Sequence, residues 1–345
     1  MYKLCHLALL AFFEAIILVS AVSSNAQLVR CEGHEGGVGS VALSSNGELA
    51  VSSDRSSFAR VWNTSNGKEI QRLQVFPSDT ASGFISAVAL SPNGHVIATA
   101  ARCQPVHFWD STTGKRHDGD LPVKQAAYSL AFSPDGSRLA VGELAEVKVW
   151  DLRTRKVLHD FKFDDRLIGQ AWRVVFSPDG AQLAAALLDY GGSFVPKAAK
   201  VRVWDVPTGA EVFSAWPDQS ASTVSFSEDG KLAAGGGGIV EVWDLTSKQS
   251  LCRFNTDEGG VHCLTFIPDG KLIATGGNRP NIKFWDASRG KKAGELAGHK
   301  KSVHFLRFSD DGKTFVSAGS DTVLVWRDIE QHLVRIRNLD VQKEK

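Results

Sequence analysis

A chain of 345 residues with 43% hydrophobic and 22% charged side chains holds enough apolar material for a substantial core, and it is not a disordered chain. Its 39 Lys and Arg against 38 Asp and Glu leave a formal net charge of +1. That balance lacks the basic surplus that duplex nucleic acid demands, so no nucleic-acid partner is expected.

The first 26 residues stand apart. Lys3 precedes an apolar run from Leu7 to Val22, and Ser24, Asn25 and Ala26 put small side chains before Gln27. This is the pattern of a signal peptide cleaved before Gln27, or of an uncleaved N-terminal membrane anchor. Glu14 disfavours the anchor, because an acidic residue in mid-bilayer costs about 2.5–3.5 kcal/mol on insertion scales. The reading therefore expects export, periplasmic or secreted. Anchoring through this segment is the alternative, and it is the only membrane contact expected.

From Gln27 onward the chain repeats itself. Turn signals recur at Ser44–Gly47, Ser91–Gly94, Ser133–Gly136, Ser177–Gly180, Ser227–Gly230, Ile267–Gly270 and Ser309–Gly312. A Trp follows each in step: Trp62, Trp109, Trp150, Trp204, Trp243, Trp285 and Trp326. Successive Trp residues lie 47, 41, 54, 39, 42 and 41 residues apart, the period of a propeller blade. Alternation within "VKVWD" and "VRVWD" predicts strands, and the turns between them predict antiparallel hairpins. A four-stranded blade has two apolar faces and cannot cover both alone. Stacking seven in a ring makes each blade its neighbour's lid. A buried indole hides about 150–250 Å², so the seven periodic Trp residues are read as blade-core wedges.

These features resemble the WD-repeat family of β-propellers. Asp follows five of the seven Trp residues (Asp110, Asp151, Asp205, Asp244, Asp286), with Asn63 and Arg327 at the first and last. The family's opening Gly-His is present at Gly33-His34 and Gly298-His299. The resemblance covers about residues 27–330. It implies an all-β fold, a seven-bladed β-propeller of four-stranded antiparallel blades over residues 27–337, with a polar tail at 338–345 and a monomeric state. It also implies closure by strands from both chain ends in one blade. "QLVRCE" at Gln27–Glu32 and "HLVRIR" at His332–Arg337 compete for that slot, and the N-terminal copy is favoured because Gly-His follows it directly. His299, Ser317, Asp321 and Trp326 match the family's buried hydrogen-bond tetrad. In the first unit His34, Ser52 and Trp62 match, but Ser56 stands in the acid's place, which leaves that tetrad without an assigned acid.

The chemistry-bearing residues do not assemble into an enzyme signature. Cys5 would leave with the signal, and Cys31, Cys103, Cys252 and Cys263 show no CxxC or zinc spacing and read as small buried thiols, with disulfides as the alternative that export permits and no pair named by spacing. Gly235–Gly238 lacks the ending of a phosphate loop. The His, Asp and Ser of the tetrad lack a nucleophile elbow and staple strands instead. No catalytic residue, metal site or cofactor is expected.

Function then falls to a surface. The resemblance implies docking on the face built by the loops entering each innermost strand and the turns between second and third strands. Repeat phase puts Gly39, Ser86, Tyr128, Trp172, Ser222, His262 and His304 there, with Phe84 beside them. The second-to-third turns add Arg55, Arg102, Asn278 and Arg279. The largest irregularity lies on the same face. From Gly180 to Trp204 the chain runs 24 residues where other units run 13 to 15. The surplus, Leu188–Lys200, carries Tyr190, Phe194, Pro196 and Lys197, and long loops on rigid scaffolds often bind. Gln74–Phe84 is a second long loop nearby. The candidate partner-binding set is Phe84, Arg102, Tyr128, Trp172, Tyr190, Phe194, Lys197, His262 and His304. Against it stands the reading that Tyr128 and Trp172 pack inward and that the loop is a neutral insertion. The function expected is a non-catalytic scaffold for a protein or peptide. The alternative is a hydrolase or lactonase with His262 and His304 at the central channel, which requires carboxylates converging on them.

Overall fold

The computed structural model describes residues 27–34, 36–54, 56–77, 84–102, 104–124, 126–163, 169–189, 198–215, 221–257, 259–329 and 333. Residues 1–26, expected as a signal peptide or anchor, residues 338–345, expected as a tail, and Arg55, Cys103, Tyr190, Phe194, Pro196 and Lys197 lie outside the described residues.

The chain opens with β1 (Gln27–Cys31) and then lays down seven blades in order. Blade 1 is β2–β5 (Ser40–Leu43, Leu49–Ser53, Phe58–Asn63, Glu69–Gln74) and blade 2 is β6–β9 (Ile85–Leu90, Val96–Ala101, Val106–Asp110, Arg116–Leu121). Blade 3 is β10–β13 (Ala127–Phe132, Arg138–Glu143, Glu146–Asp151, Lys156–Lys162) and blade 4 is β14–β17 (Gly169–Phe176, Gln182–Asp189, Ala198–Asp205, Glu211–Ala215). Blade 5 is β18–β21 (Thr223–Phe226, Lys231–Gly236, Ile239–Asp244, Gln249–Asn255) and blade 6 is β22–β25 (Val261–Phe266, Leu272–Gly277, Ile282–Asp286, Lys292–Leu296). Blade 7 takes β26–β28 (Val303–Phe308, Thr314–Gly319, Val323–Arg327) and borrows β1 as its outermost strand. The fold is a seven-bladed β-propeller of four-stranded antiparallel sheets.

The first hairpin of each blade is built on the repeated turn. Gly47 N donates to Ser44 O at 2.9 Å, and Leu49 N donates to Ser44 Oγ at 3.0 Å. Gly47 sits at φ +70°, where a Cβ would be strained. The same closure runs from Gly94 N to Ser91 O (2.8 Å) round to Gly312 N and Ser309 O (2.9 Å). The Asp after each Trp holds the next hairpin. Asp110 Oδ1 accepts from Thr113 N at 2.6 Å, and Asp151 Oδ1 accepts from Thr154 N at 2.6 Å. Asn63 substitutes directly, its Oδ1 accepting from Ser65 N at 2.8 Å. Arg327 ends a strand that has no such hairpin to hold, because β28 pairs with β1 instead.

All seven periodic Trp side chains are buried, none more than 6% exposed. Each wedges between its own blade and the one before. Trp109 packs with Val51 and Val61 of blade 1, Trp326 with Ala274 and Phe284 of blade 6, and Trp62 with Val316 and Val325 of blade 7. Gly298 makes room for this. A Cβ there would come within 2.5 Å of the Trp326 ring. In blade 7 His299 Nε2 lies 2.8 Å from Ser317 Oγ, His299 Nδ1 lies 2.7 Å from Asp321 Oδ1, and Trp326 Nε1 donates to Ser317 Oγ at 2.9 Å. Blade 1 repeats this with Asp54, not Ser56, as the acid. His34 Nδ1 is 2.7 Å from Asp54 Oδ2, and His34 Nε2 is 2.7 Å from Ser52 Oγ. The expectation from repeat phase missed it because the turn places its acid two residues after the Ser, where Ser56 N donates to Asp54 Oδ1 at 2.7 Å.

Ring closure uses the N-terminal copy of the competing sequences. Gln27 pairs with Arg327 and Cys31 with Val323. Of the C-terminal copy, Leu333 is described, and it is buried in the core of blades 6 and 7. Each innermost strand abuts the next, and β2 abuts β26, so the seven enclose a central channel.

Candidate functional site: the upper mouth of the channel

The innermost strands begin at one face, here the upper face, and five of the seven share an irregularity there. Register shifts fall between Ile85 and Ala87, Ala127 and Ser129, Ala171 and Arg173, Val261 and Cys263, and Val303 and Phe305. The residues left out of the ladder are Ser86, Tyr128, Trp172, His262 and His304. A bulge of this kind turns an unpaired side chain out of the sheet and re-aims it. All five line one chamber of about 650 Å³ at the upper mouth, together with Gly39, Phe84 and Ser222. The structure thus brings together Phe84, Tyr128, Trp172, His262 and His304 of the expected set. Arg102 is exposed and does not line the chamber. Tyr190, Phe194 and Lys197 fall outside the described residues, but the ends of their insertion are strand. Asp189 pairs with Ala198, so the blade 4 hairpin is longer than the others.

The wall is divided by chemistry. On one side the rings of Tyr128 and Trp172, from adjacent blades, stack at 5.9 Å with 25° between planes. Trp172 is 41% exposed and Phe84, nearby, 47%. On the other side His262 and His304 lie 4.8 Å apart. His304 Nε2 is 2.9 Å from Ser302 Oγ and 3.0 Å from Ser320 Oγ. Burial, then the neighbouring His262 and His299, pulls His304 down to about 4, so it is neutral at pH 7. His262 Nε2 lies 2.7 Å from Asn278 Oδ1. Ser86 and Ser222 are occupied in holding blades together, donating to Ala127 O at 2.5 Å and Val261 O at 2.8 Å.

Among the described residues that line the chamber, Asp54 is the one acid. Its carboxylate is committed to His34 and to Ser56 N. No pair of carboxylates converges on His262 and His304 there, which is what the hydrolase alternative requires.

The floor of the chamber carries two cations. Arg173, on β14 of blade 4, crosses the channel to put its guanidinium 5.0 Å from the ring of Phe305 on β26 of blade 7. Arg307 follows Phe305 by two residues, so it shares the same strand face. Arg307 lines both the upper chamber and a second cavity, of about 460 Å³, at the lower mouth. Burial, and then the charge of Arg307, pulls Arg173 down to about 9, and burial also lowers Arg307. At about 9, Arg173 remains charged at neutral pH.

Four stretches match a family model described as WD domain, G-beta repeat: residues 25–63, 115–151, 248–286 and 290–327. The chain belongs to the WD-repeat family. Similar proteins include telomerase protein component 1 of Rattus norvegicus, 30% identical over 60% of this chain and 8% of the relative. Transcription factor unc-37 of Caenorhabditis elegans is 29% identical over 56% of this chain and 30% of the relative. WD repeat-containing protein 18 of Rattus norvegicus is 32% identical over 36% of this chain and 30% of the relative. This WD-repeat chain therefore matches less than a third of the length of each of these relatives. The expectation of export is corrected by them. A telomerase component and a transcription factor are named for work inside the cell, and an apolar N-terminal run with small residues after it does not outweigh that kinship.

Sequence reasoning missed Arg173 and Arg307. Their signal was present in the repeat. Where blade 4 has Arg173, just after the bulge, five other blades of this WD-repeat propeller have Ser40, Ala87, Ser129, Thr223 and Cys263, and blade 7 has Phe305. A long cation at a position that takes small residues in five of the seven blades marks the channel floor.

Proposed function

We propose that this WD-repeat protein is a non-catalytic scaffold that docks a protein or peptide on the upper mouth of its channel. The observation that supports it is the Tyr128–Trp172 stack, held out of the ladder by two neighbouring bulges and facing the chamber, with Tyr128 half-buried and Trp172 exposed. Folding alone gives no reason to leave such an aromatic pair in water, and Trp and Tyr are the residue types enriched at interface hot spots. Phe84 extends the apolar surface, while His262 and His304 add polar groups across the mouth.

The test is affinity capture by the full chain from cells that make it. A partner should be retained by the wild type and by Glu228→Ala, a change at the lower mouth. It should be lost with Trp172→Ala, whose thermal midpoint should fall by no more than a few degrees. Equal retention by Trp172→Ala would remove the stack from the docking site.

A further inference from the structure

The two arginines on the chamber floor lack counter-charges. Arg173 is only 9% exposed, and its Nε is buried without a hydrogen-bond partner. Arg307 uses Nη1 on the carbonyl of Leu306 at 2.9 Å. No carboxylate of the described residues forms an ion pair with either, and the charge of Arg307 adds to the burial that disfavours a charge on Arg173. Buried guanidinium groups are ordinarily paired, because desolvation of an uncompensated charge is expensive. A fold that buries Arg173 and sets the half-buried Arg307 on the same chamber wall, between the upper and lower cavities, has left a place for an anion.

The geometry points to an oxyanion-binding site on the floor of the upper chamber, formed by Arg173 and Arg307, that takes a phosphate or carboxylate group. The planar fork of each guanidinium matches the paired oxygens of such a group. Two positive charges favour a dianion. Access is polarised: the lower cavity is lined by Glu228 and Asp310, which repel an anion approaching from below, whereas the acid of the upper chamber, Asp54, is turned to His34. Phe305 holds the Arg173 guanidinium across the channel, so the fork is oriented before the anion arrives. This site stands independently of whether the Tyr128–Trp172 stack docks a peptide.

The test titrates the full chain with inorganic phosphate and, separately, with succinate in low-salt buffer, following the thermal unfolding midpoint and the heat of binding. At least one should raise the midpoint of the wild type saturably, and sodium chloride at equal ionic strength should not. Whichever anion acts assigns the site to phosphate or to carboxylate chemistry. Arg307→Gln should raise the anion-free midpoint, by relieving the repulsion, and remove the saturable response. Arg307→Lys, which keeps the charge but loses the fork, should weaken binding by about tenfold. The proposal is overturned if neither anion gives a saturable response, or if Arg307→Gln titrates like the wild type. Capture of a protein partner plays no part in either readout.

Discussion

Tyr128 and Trp172 stack across the boundary between blades 3 and 4, yet neither belongs to the wedge that holds those blades together. That wedge is Trp204, 2% exposed and stacked on Phe161 at 4.6 Å. The two indoles should therefore answer truncation differently. Trp204→Ala is expected to cost about 3–5 kcal/mol. Trp172→Ala should cost about 1 kcal/mol or less, the loss of an exposed aromatic contact. Urea unfolding of both variants checks this. A loss in Trp172→Ala as large as in Trp204→Ala would make the stack part of the core.

The seven wedges are alike in burial but not in bonding. Trp62, Trp109, Trp285 and Trp326 donate to Ser52, Thr99, Thr275 and Ser317. At the corresponding place in blade 3 stands Val141, and Trp150 Nε1 is buried without an acceptor. Val141→Thr keeps the shape and supplies one. It should raise stability by about 0.5–1.5 kcal/mol, and Thr275→Val should lower it by about 1–3 kcal/mol. Denaturant midpoints of the two variants decide the matter.

Blade 3 also buries a charge cluster. Lys148 Nζ lies 2.8 Å from Glu143 Oε1 and also contacts Glu146, with all three side chains buried. Burial works against the Lys148 charge, but the hydrogen bonds to both glutamates outweigh it and raise its pKa. Lys148→Met would leave the buried Glu143 without its cation and Glu146 with only the more distant Lys124, at 3.4 Å. We expect a loss of about 3–5 kcal/mol, read by thermal unfolding, with partial recovery when Glu143→Gln is added.

His304 makes stability pH-dependent. Burial holds its pKa at about 4, below the value of about 6.5 for an exposed imidazole. Between those values the unfolded chain binds a proton that the folded chain refuses. The contribution is thus complete above pH 6.5 and is lost as pH falls through 4. It is on the order of 2 kcal/mol, reduced from the full shift because the ring is partly solvated. His299, lowered chiefly by its own burial, adds a slope of the same sign. In His304→Asn the decline of the unfolding midpoint between pH 6.5 and 4 should be shallower than in the wild type. An unchanged slope would show that the imidazole is solvated.

The architecture was legible because it is written seven times. A turn glycine, a periodic indole and an acid that holds the next hairpin each recur in phase, and one misread unit does not disturb the others. Asp54 was misread for the opposite reason. A tetrad acid can sit at more than one place in its turn, and sequence spacing alone does not say which carboxylate reaches the imidazole. The five bulge residues were found through repeat phase, although nothing in the sequence announced a bulge. Arg102 carried the same phase argument but points elsewhere, because a turn does not fix its side chain as a ladder does. Arg173 and Arg307 escaped notice because their meaning is spatial. Only when blades 4 and 7 face each other across the channel do two unremarkable strand residues become a pair.

The pairing of β1 with β28 brings together segments nearly the whole chain apart, with Thr322 Oγ1 donating to Cys31 O across 291 positions. Such a seal cannot form until the last strand has left the ribosome. Throughout synthesis the growing arc presents bare hydrogen-bonding edges at both ends. The nascent chain is thus most exposed to mispairing just before β28 emerges, when the other strands of the ring are in place and the latch is not.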